Sequence, residues 1–403
     1  MKIHSLITTT DALAALCERL AKSDFVTVDT EFMRENTYWP ELCLVQIANT
    51  EEAAAVDPLA PGIDLSPLLD LLVDNEEVLK VFHAGGQDVE IIYNLTGKTP
   101  HPIFDTQIAM MAVSQSEQIG YSNLVESWLG LSIDKGARFT DWSRRPLTER
   151  QIEYAIGDVT HLSKIFPKLL KRLIKTGRGE WLDIEMEKLA DPANYKSDPQ
   201  TVWQKIRPPS RNPAVLGRMR AIAAWREAEA MDKNIPRGRI MRDETLADIA
   251  SHPPREQHEL AKVRGLSSGW KDNEIGRRLM QTLAEAKPLT EAEMPPKAPR
   301  GAPLGKEGAL VADLLKLLLK IRSREIDIAA RLLARSDDLE ALAAGQRRNL
   351  PILEGWRFEQ FGRDALDLVE GKLAFAVVGG KLKMAHIDDI GGGSAAEPVA
   401  HID

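Results

Sequence analysis

An α/β domain on a mixed sheet, followed by two all-α helical domains, is the architecture this sequence predicts. Three observations lead there. Short β-branched runs gather early, between positions 25 and 82, and alternate with helical stretches. Beyond Pro213 the chain reads as helix almost throughout. Two proline-rich joints, Pro192–Pro213 and Lys287–Gly305, punctuate it. At 403 residues the chain exceeds what one hydrophobic core usually serves, so two or three domains are expected.

Each element has its own signal. The amphipathic spacing over Asp11–Lys22 predicts a helix, and Phe25-Val-Thr-Val-Asp29 predicts the short strand after it. Leu42–Ile47 reads as a buried strand and Glu52–Asp57 as its hairpin partner. Leu65–Leu72 predicts a helix, Val78–Phe82 a strand, and Asp88–Leu95 a further helix, with another beginning at Asp105. A long helix follows Pro146, with Thr148 as N-cap and Gln151 as its capping-box partner; it runs through Leu173 with a bend expected at Pro167. Strands first and helices layered later fit a mixed sheet.

The expected division is 1–175, a linker 176–210, a helical domain 211–287, a linker 288–306, a second and divergent helical domain 307–385, and a disordered tail 386–403. The helical halves echo one another. Arg242-Asp-Glu-Thr-Leu246 matches Arg335-Ser-Asp-Asp-Leu339, Val263-Arg-Gly-Leu266 matches Leu353-Glu-Gly-Trp356, and Gly276-Arg277 matches Gly362-Arg363. Offsets of 86 to 93 residues point to a duplicated helical unit. Leu314–Leu319 reads as buried core of the second copy.

The net charge of −8 is unevenly spread. Residues 1–175 hold 16 Lys and Arg against 25 Asp and Glu, whereas 211–287 hold 15 against 11. An acidic module beside a basic one suits a metal-dependent catalytic unit joined to a polyanion-binding unit. No apolar run approaches the roughly 18 residues of a membrane span, and the N-terminus does not read as a signal peptide. Cys17 and Cys43 sit in apolar patterns, too few for a disulfide scaffold or a cysteine metal knuckle. A cytoplasmic protein without a membrane partner is expected.

The chemistry rests on carboxylates. Asp29-Thr-Glu31 closes the first strand, and alternation puts both side chains on one face. In His83-Ala-Gly-Gly-Gln-Asp88 a strand ends, two glycines turn the chain and Asp88 opens a helix. In Tyr154-Ala-Ile-Gly-Asp158 the tyrosine and aspartate share one helical face. Gly157 beside them costs about 1 kcal/mol of helix stability relative to alanine, which suggests a close approach to that face. Gathering these acids uncompensated is expensive, and hard divalent cations, Mg²⁺ or Mn²⁺, remove the cost. Two such ions can activate a water and stabilise a leaving oxygen in phosphodiester hydrolysis. Tyr154 can hold the attacking water, although with a free pKa of about 10 it is a poor base.

Other side chains carry two open readings each. His83 either contacts a nucleotide or caps its strand. Asp105 reads as a helix cap rather than a metal ligand. Lys135, Arg138, Arg144 and Arg145 form a basic loop that either contacts phosphate or bridges to Asp134 and Asp141. Arg264, in Val263-Arg-Gly-Leu266, belongs either to a phosphate-binding turn or to a solvated face. No phosphate loop, dinucleotide fingerprint or Ser/His/Asp order is present, so ATP use and acyl transfer have no support.

Together these residues resemble the DEDD exonucleases of the tyrosine subclass, and in particular ribonuclease D. The likeness extends to Val28-Asp-Thr-Glu-Phe-Met-Arg34, Tyr38-Trp-Pro-Glu-Leu42, Phe82-His-Ala-Gly85, Phe104-Asp-Thr-Gln107 and Thr140–Arg150. Trp225-Arg226, Asp243-Glu-Thr-Leu246 and Leu260–Leu266 are similar to the helicase-and-RNase-D C-terminal domain; the second copy keeps Gly355 but not the Trp-Arg pair. The resemblance implies a ribonuclease H-like fold and metal-dependent 3′-to-5′ hydrolysis releasing 5′-mononucleotides. It implies Asp29 bridging two ions, Glu31 and Asp158 completing one site, Asp88 reaching the other, and Tyr154 orienting the nucleophile. The implied partner is RNA with a free 3′ end, above all tRNA precursors, bound by a monomer. A DNA exonuclease and a non-catalytic RNA-binding adaptor are the alternatives.

Overall fold

The structure, a computed structural model, describes residues 1–134, 136–295 and 304–387. These form two compact units. The first takes Met1–Thr106, Tyr121–Pro167 and 185–295; the second takes Gln107–Gly120, Lys168–Ile184 and 304–387.

The first unit is built on β1 (Lys2–Ile3), β2 (Phe25–Met33), β3 (Glu41–Ala48), β4 (Glu52–Val56), β5 (Leu79–Phe82) and β6 (Ile103–Asp105). Their order in the sheet is β1-β4-β3-β2-β5-β6. β2, β3 and β4 are antiparallel neighbours, while β5 and β6 continue the sheet parallel to β2. The mixed sheet is therefore as expected, but β1 and β6 carried no signal at two and three residues. Strand β2 runs four residues past its expected end, and a register shift between Glu31 and Phe32 marks where it leaves regular pairing with β3.

Alternation sorts the two faces. Val26, Val28, Val45 and Ile47 meet leucines of α1 (Thr10–Leu20) and α2 (Ser66–Val73), together with Val89 and Ile92 of α3 (Gly86–Thr96). Each such fully buried side chain contributes about 1.5–3 kcal/mol. The opposite face, with Leu44, Ala48, Ala53 and Ala55, is covered by Trp142, Leu147 and the Ala155, Ile156 and Val159 stripe of a long helix. Between them in the chain come α4 (Thr106–Met110) and α5 (Tyr121–Leu129), and the long helix is α6 (Glu149–Thr176). α6 has the expected capping box: Thr148 N donates to Gln151 Oε1 at 3.0 Å and Gln151 N to Thr148 Oγ1 at 3.2 Å. It continues through Pro167. Thr27 Oγ1 donates to Val159 O at 2.9 Å, fastening β2 to α6.

After α7 (Asp183–Ala190), the first unit gains α8 (Pro213–Asp232), α9 (Arg237–Ile240), α10 (Asp243–Ser251) and α11 (Glu274–Glu285). Their core holds Met219, Ile222, Leu246, Leu260 and Leu279, and Tyr38 from the loop after β2 packs into it. Asn212 and Asn273 cap α8 and α11.

The second unit repeats this order in α12 (Lys306–Glu325), α13 (Ala330–Leu333), α14 (Ser336–Ala343), α15 (Gly355–Arg357) and α16 (Arg363–Val369). The matching glycines share one cause. A Cβ on Gly276 would lie 1.8 Å from Trp270 O, and one on Gly362 would lie 2.0 Å from Ile352 O.

Two expectations are corrected. The second helical segment is not all-α, because β7 (Leu373–Val378) and β8 (Lys381–His386) form an antiparallel hairpin. Gly379 and Gly380, both at positive φ, supply its turn. The Leu314–Leu319 run is not uniformly buried: Leu315, Leu318 and Leu319 face the core while Leu314 is 42% exposed. Six consecutive residues exceed one helical turn, so they cannot all face one way. The tail is expected from 386, but His386 still belongs to β8; residues 388–403 and part of the 288–306 joint fall outside the described residues.

Candidate functional site

Asp29 and Glu31 project from β2 on the face that α6 covers, and Asp158 on α6 meets them there. One carboxylate oxygen from each of the three lies within 4.8 Å of the others. Burial raises the pKa of all three. Asp158 adds to the rise at Asp29, and the neighbouring acids push Glu31 up to about 9. Glu31 and Asp158 are relieved only in part by the exposed guanidinium of Arg138, and Asp158 also accepts a hydrogen bond from Tyr154. An all-oxygen donor set, desolvated and mutually repelling, fits a hard divalent cation, whose charge removes both penalties.

Asp88 stands beside this triad rather than within it. It is buried on α3 and accepts from Thr30 Oγ1. Burial and the nearby Asp29 carboxylate raise its pKa well above the usual range. Its helix begins at Gly86, two residues earlier than expected.

Tyr154 is half-buried one turn before Asp158 on α6, its ring 6.3 Å from that of Trp142. Burial and the surrounding acids raise its pKa, so the hydroxyl stays protonated. A Cβ on Gly157 would meet only the His161 ring, at 3.5 Å, an ordinary contact. Among the described residues nothing makes the expected close approach to that face.

The basic candidates divide. Arg138 is exposed and close enough to the acids to lower the pKa of Glu31 and Asp158. Arg145 is corrected. Nε and Nη2 bind Asp57 at 2.8 and 2.6 Å, Nη2 also reaches Cys43 O at 2.7 Å, and Nη1 donates to the carbonyls of Trp142 and Arg144. With its whole fork occupied, Arg145 ties its loop to the sheet and has no donor left for a phosphate. Its partner is neither Asp134 nor Asp141. Arg144 binds Asp141 at 3.1 Å and Arg150 binds Asp134. Lys135 lies outside the described residues. His83 Nδ1 is 2.9 Å from Thr106 Oγ1, and its ring packs against Tyr121. Asp105 accepts the backbone N–H groups of Ala84 and Gly85 at 3.1 and 2.8 Å, so it caps the turn before α3 rather than its own helix. Arg264 is exposed in the first unit, its carbonyl accepting from Thr245 Oγ1 at 3.1 Å.

Two residues near the acids escaped sequence reasoning. Tyr121 donates to the carbonyls of Gly157 and Asp158, gripping the α6 turn that carries Asp158. It lies in a helix whose pattern was not picked up. Gln46 stands opposite Asp29 in the β2–β3 ladder, fully buried, and its amide oxygen and nitrogen both lack a hydrogen-bond partner among the described residues. A polar residue inside the apolar Leu42–Ile47 run was the available signal.

A mixed sheet presenting a partly buried carboxylate cluster against a long helix fits the class of nucleases that work with divalent metal ions. The family described as 3′-5′ exonuclease matches residues 5–174, and the HRDC domain family matches residues 215–283. Ribonuclease D of Sphingobium indicum is 69% identical over 384 residues, covering 95% of this chain and 99% of its own. Ribonuclease D of Zymomonas mobilis is 60% identical over 388 residues, covering 96% and 100%. The crystal structure of Escherichia coli RNase D, described as an exoribonuclease involved in structured RNA processing, superposes with a TM-score of 0.73 at 30% identity, covering 91% of this chain and 99% of that one. The chain belongs to the ribonuclease D family, and its activity is that of a hydrolytic 3′-5′ exoribonuclease. No helix of the described residues is long and apolar enough to cross a membrane.

Proposed function

We propose that this chain trims the 3′ ends of tRNA precursors and other small structured RNAs, releasing 5′-mononucleotides, with two divalent ions, Mg²⁺ or Mn²⁺, at the carboxylate cluster. The observation that carries the reading is the convergence of Asp29, Glu31 and Asp158 within 4.8 Å, in a setting that disfavours their bare charges. Asp29, Glu31 and Asp158 would hold one ion, and Asp88, on the far side of Thr30, would serve the second together with Asp29. Bound there, divalent ions supply Lewis acidity that activates water and stabilises the leaving oxygen.

The chain's own groups do the rest. Tyr154, protonated at neutral pH, donates to Asp158 and accepts from the attacking water, fixing the water's direction rather than removing its proton. Tyr121 keeps the α6 turn in register with β2 through the Gly157 and Asp158 carbonyls. Arg138, exposed beside the acids, meets the substrate's phosphate backbone. His83, held by Thr106, keeps the turn into α3 in place. Exposed Arg264 and its basic neighbours in the HRDC segment add affinity for RNA away from the reaction. The enzyme works as a monomer in the cytoplasm.

The test is a time course on a 3′-labelled tRNA precursor with a single-stranded tail and on its all-DNA counterpart, with Mg²⁺, Mn²⁺ or chelator. Mononucleotide release from RNA that stalls at the stem, and that falls more than 100-fold in Asp29→Asn, is expected. Equal decay of both polymers would assign DNA as substrate, and RNA binding without decay under either metal would remove the catalytic reading.

A further inference from the structure

A cavity of about 530 Å³ opens in the first unit, within the size range of small-ligand sites. Its wall combines the loop after β2, the 194–205 segment and the start of α9. Arg34, Lys196, Lys205 and Arg237 line it against the single carboxylate of Glu90. Arg34 is taken up by a two-pronged pair with Glu90, at 2.7 and 2.8 Å, and Arg237 pairs with Glu227 at 3.3 Å. Lys196 and Lys205 are exposed, and among the described residues neither ammonium meets a carboxylate. Two uncommitted cations therefore face this space.

The aromatic wall is held in advance. Asn234 Oδ1 accepts the backbone N–H groups of both Tyr38 and Trp39 at 3.1 Å. The Tyr38 hydroxyl donates to buried Glu227 and lies 2.8 Å from Ser197 Oγ. These bonds immobilise the loop, yet the Trp39 indole, packed edge-on against Tyr38 at 4.7 Å, remains 37% exposed beside the cavity. The opposite side is just as fixed, with the Tyr195 hydroxyl on Leu189 O at 2.7 Å. A rigid, partly exposed indole beside free lysines is how single-stranded nucleic acid is held: a ring for a base face and cations for phosphate.

Position links the cavity to the reaction. Arg34 follows Glu31 by three residues, just past the end of β2, so its backbone lies no more than roughly 10 Å away at about 3.3 Å per residue. Glu90 follows Asp88 by two residues on α3. A strand whose 3′ end lies at the acids thus reaches the cavity within a few nucleotides.

We propose that this cavity is an upstream RNA subsite, which takes one unpaired nucleotide of the substrate with its base on Trp39 and its phosphate on Lys196 and Lys205. The inference rests on the proposed reading of the chain as an enzyme acting on RNA tails. The subsite senses tail length: a tail too short to reach it is bound by the acidic centre alone.

The full chain in EDTA is titrated with 5′-labelled oligoadenylates of two and eight nucleotides, followed by fluorescence anisotropy at several salt concentrations. Trp39→Ala is expected to weaken octamer binding roughly 5- to 100-fold, and Trp39→Phe to retain it within about twofold, since a stacking face remains. Lys196→Ala/Lys205→Ala is expected to lower the slope of log affinity against log salt by about 0.7, the value for one phosphate contact on a single strand. Dinucleotide binding, and dinucleotide hydrolysis in Mg²⁺, stay at the wild-type level in every variant. Unchanged octamer affinity and salt slope in both the Trp39→Ala and the double lysine variants would overturn the subsite. So would a double lysine variant that loses oligoglutamate binding but keeps RNA binding and its salt slope, which would make the cavity an acidic-peptide site. Wild-type dinucleotide hydrolysis is scored separately, so failure of the enzymatic reading does not masquerade as failure of the subsite.

Discussion

Gln46 and Asp29 face each other across β3 and β2, one with an amide that has no hydrogen-bond partner among the described residues, the other with a carboxylate that burial and Asp158 hold far above its usual pKa. Directly opposed residues of an antiparallel pair have Cβ atoms about 4.5–5.5 Å apart. The strand therefore carries two unfavourable polar groups side by side at the point where catalysis is assigned. Such local conflict is what functional sites retain at a cost in stability.

Gln46→Leu keeps the volume and removes the unpaired amide. Desolvation of an unbonded buried polar group costs about 1–3 kcal/mol, so the variant is expected to melt a few degrees higher in EDTA. Differential scanning calorimetry decides it; an unchanged or lower melting temperature means the amide has a partner in solution.

Charge on the acid cluster sets a pH dependence. Asp29, Glu31 and Asp158 rise to about 8, 9 and 7 in the folded chain, against about 4 when unfolded. Between those limits the folded state holds protons that the unfolded state has released, so stability falls as pH rises from about 4 to 9. Melting temperatures in EDTA should decline across that window. Added Mg²⁺ should raise them most at its alkaline end, where the ligands shed protons most readily.

Arg145 and Arg138 should part company. Removing the Arg145 fork leaves Asp57, only 4% exposed, without its counter-ion, a loss of about 3 kcal/mol. Arg145→Ala is expected to lower stability and leave RNA affinity per folded molecule unchanged. Arg138→Ala should do the reverse. Urea unfolding beside RNA titration separates them.

Glycine contacts give a further contrast. Gly276→Ala drives a Cβ into the Trp270 carbonyl, a clash with backbone that costs about 1–3 kcal/mol or more. Gly157→Ala meets only open contact with His161 and gains up to about 1 kcal/mol of helix propensity. Thermal unfolding of the two variants should therefore shift in opposite directions. A Gly157→Ala chain that is more stable but slower on RNA would show that the substrate approaches that face.

Much of the fold was readable because periodicity is local. The alternation in Phe25–Asp29 placed Asp29 and Glu31 on one face, and the Thr148–Gln151 box marked the start of α6. What could not be read is what depends on distant partners or very short elements. Arg145 looked like a free cation in a basic loop because Asp57 lies 88 residues away. β6 is too brief for any alternation to register. The hairpin at Leu373–His386 hid inside a region that otherwise speaks helix, though Gly379-Gly380 was its turn signal. Asp88 was legible as an acid but not as one held apart from the triad by Thr30.

The separation of Asp158 from Asp29 by well over a hundred residues also has a meaning during synthesis. β2 emerges from the ribosome carrying two acids of the triad, and the third arrives only with α6. A chain ending before that helix lacks Asp158, so on the proposed reading RNA cleavage waits for completion of the domain.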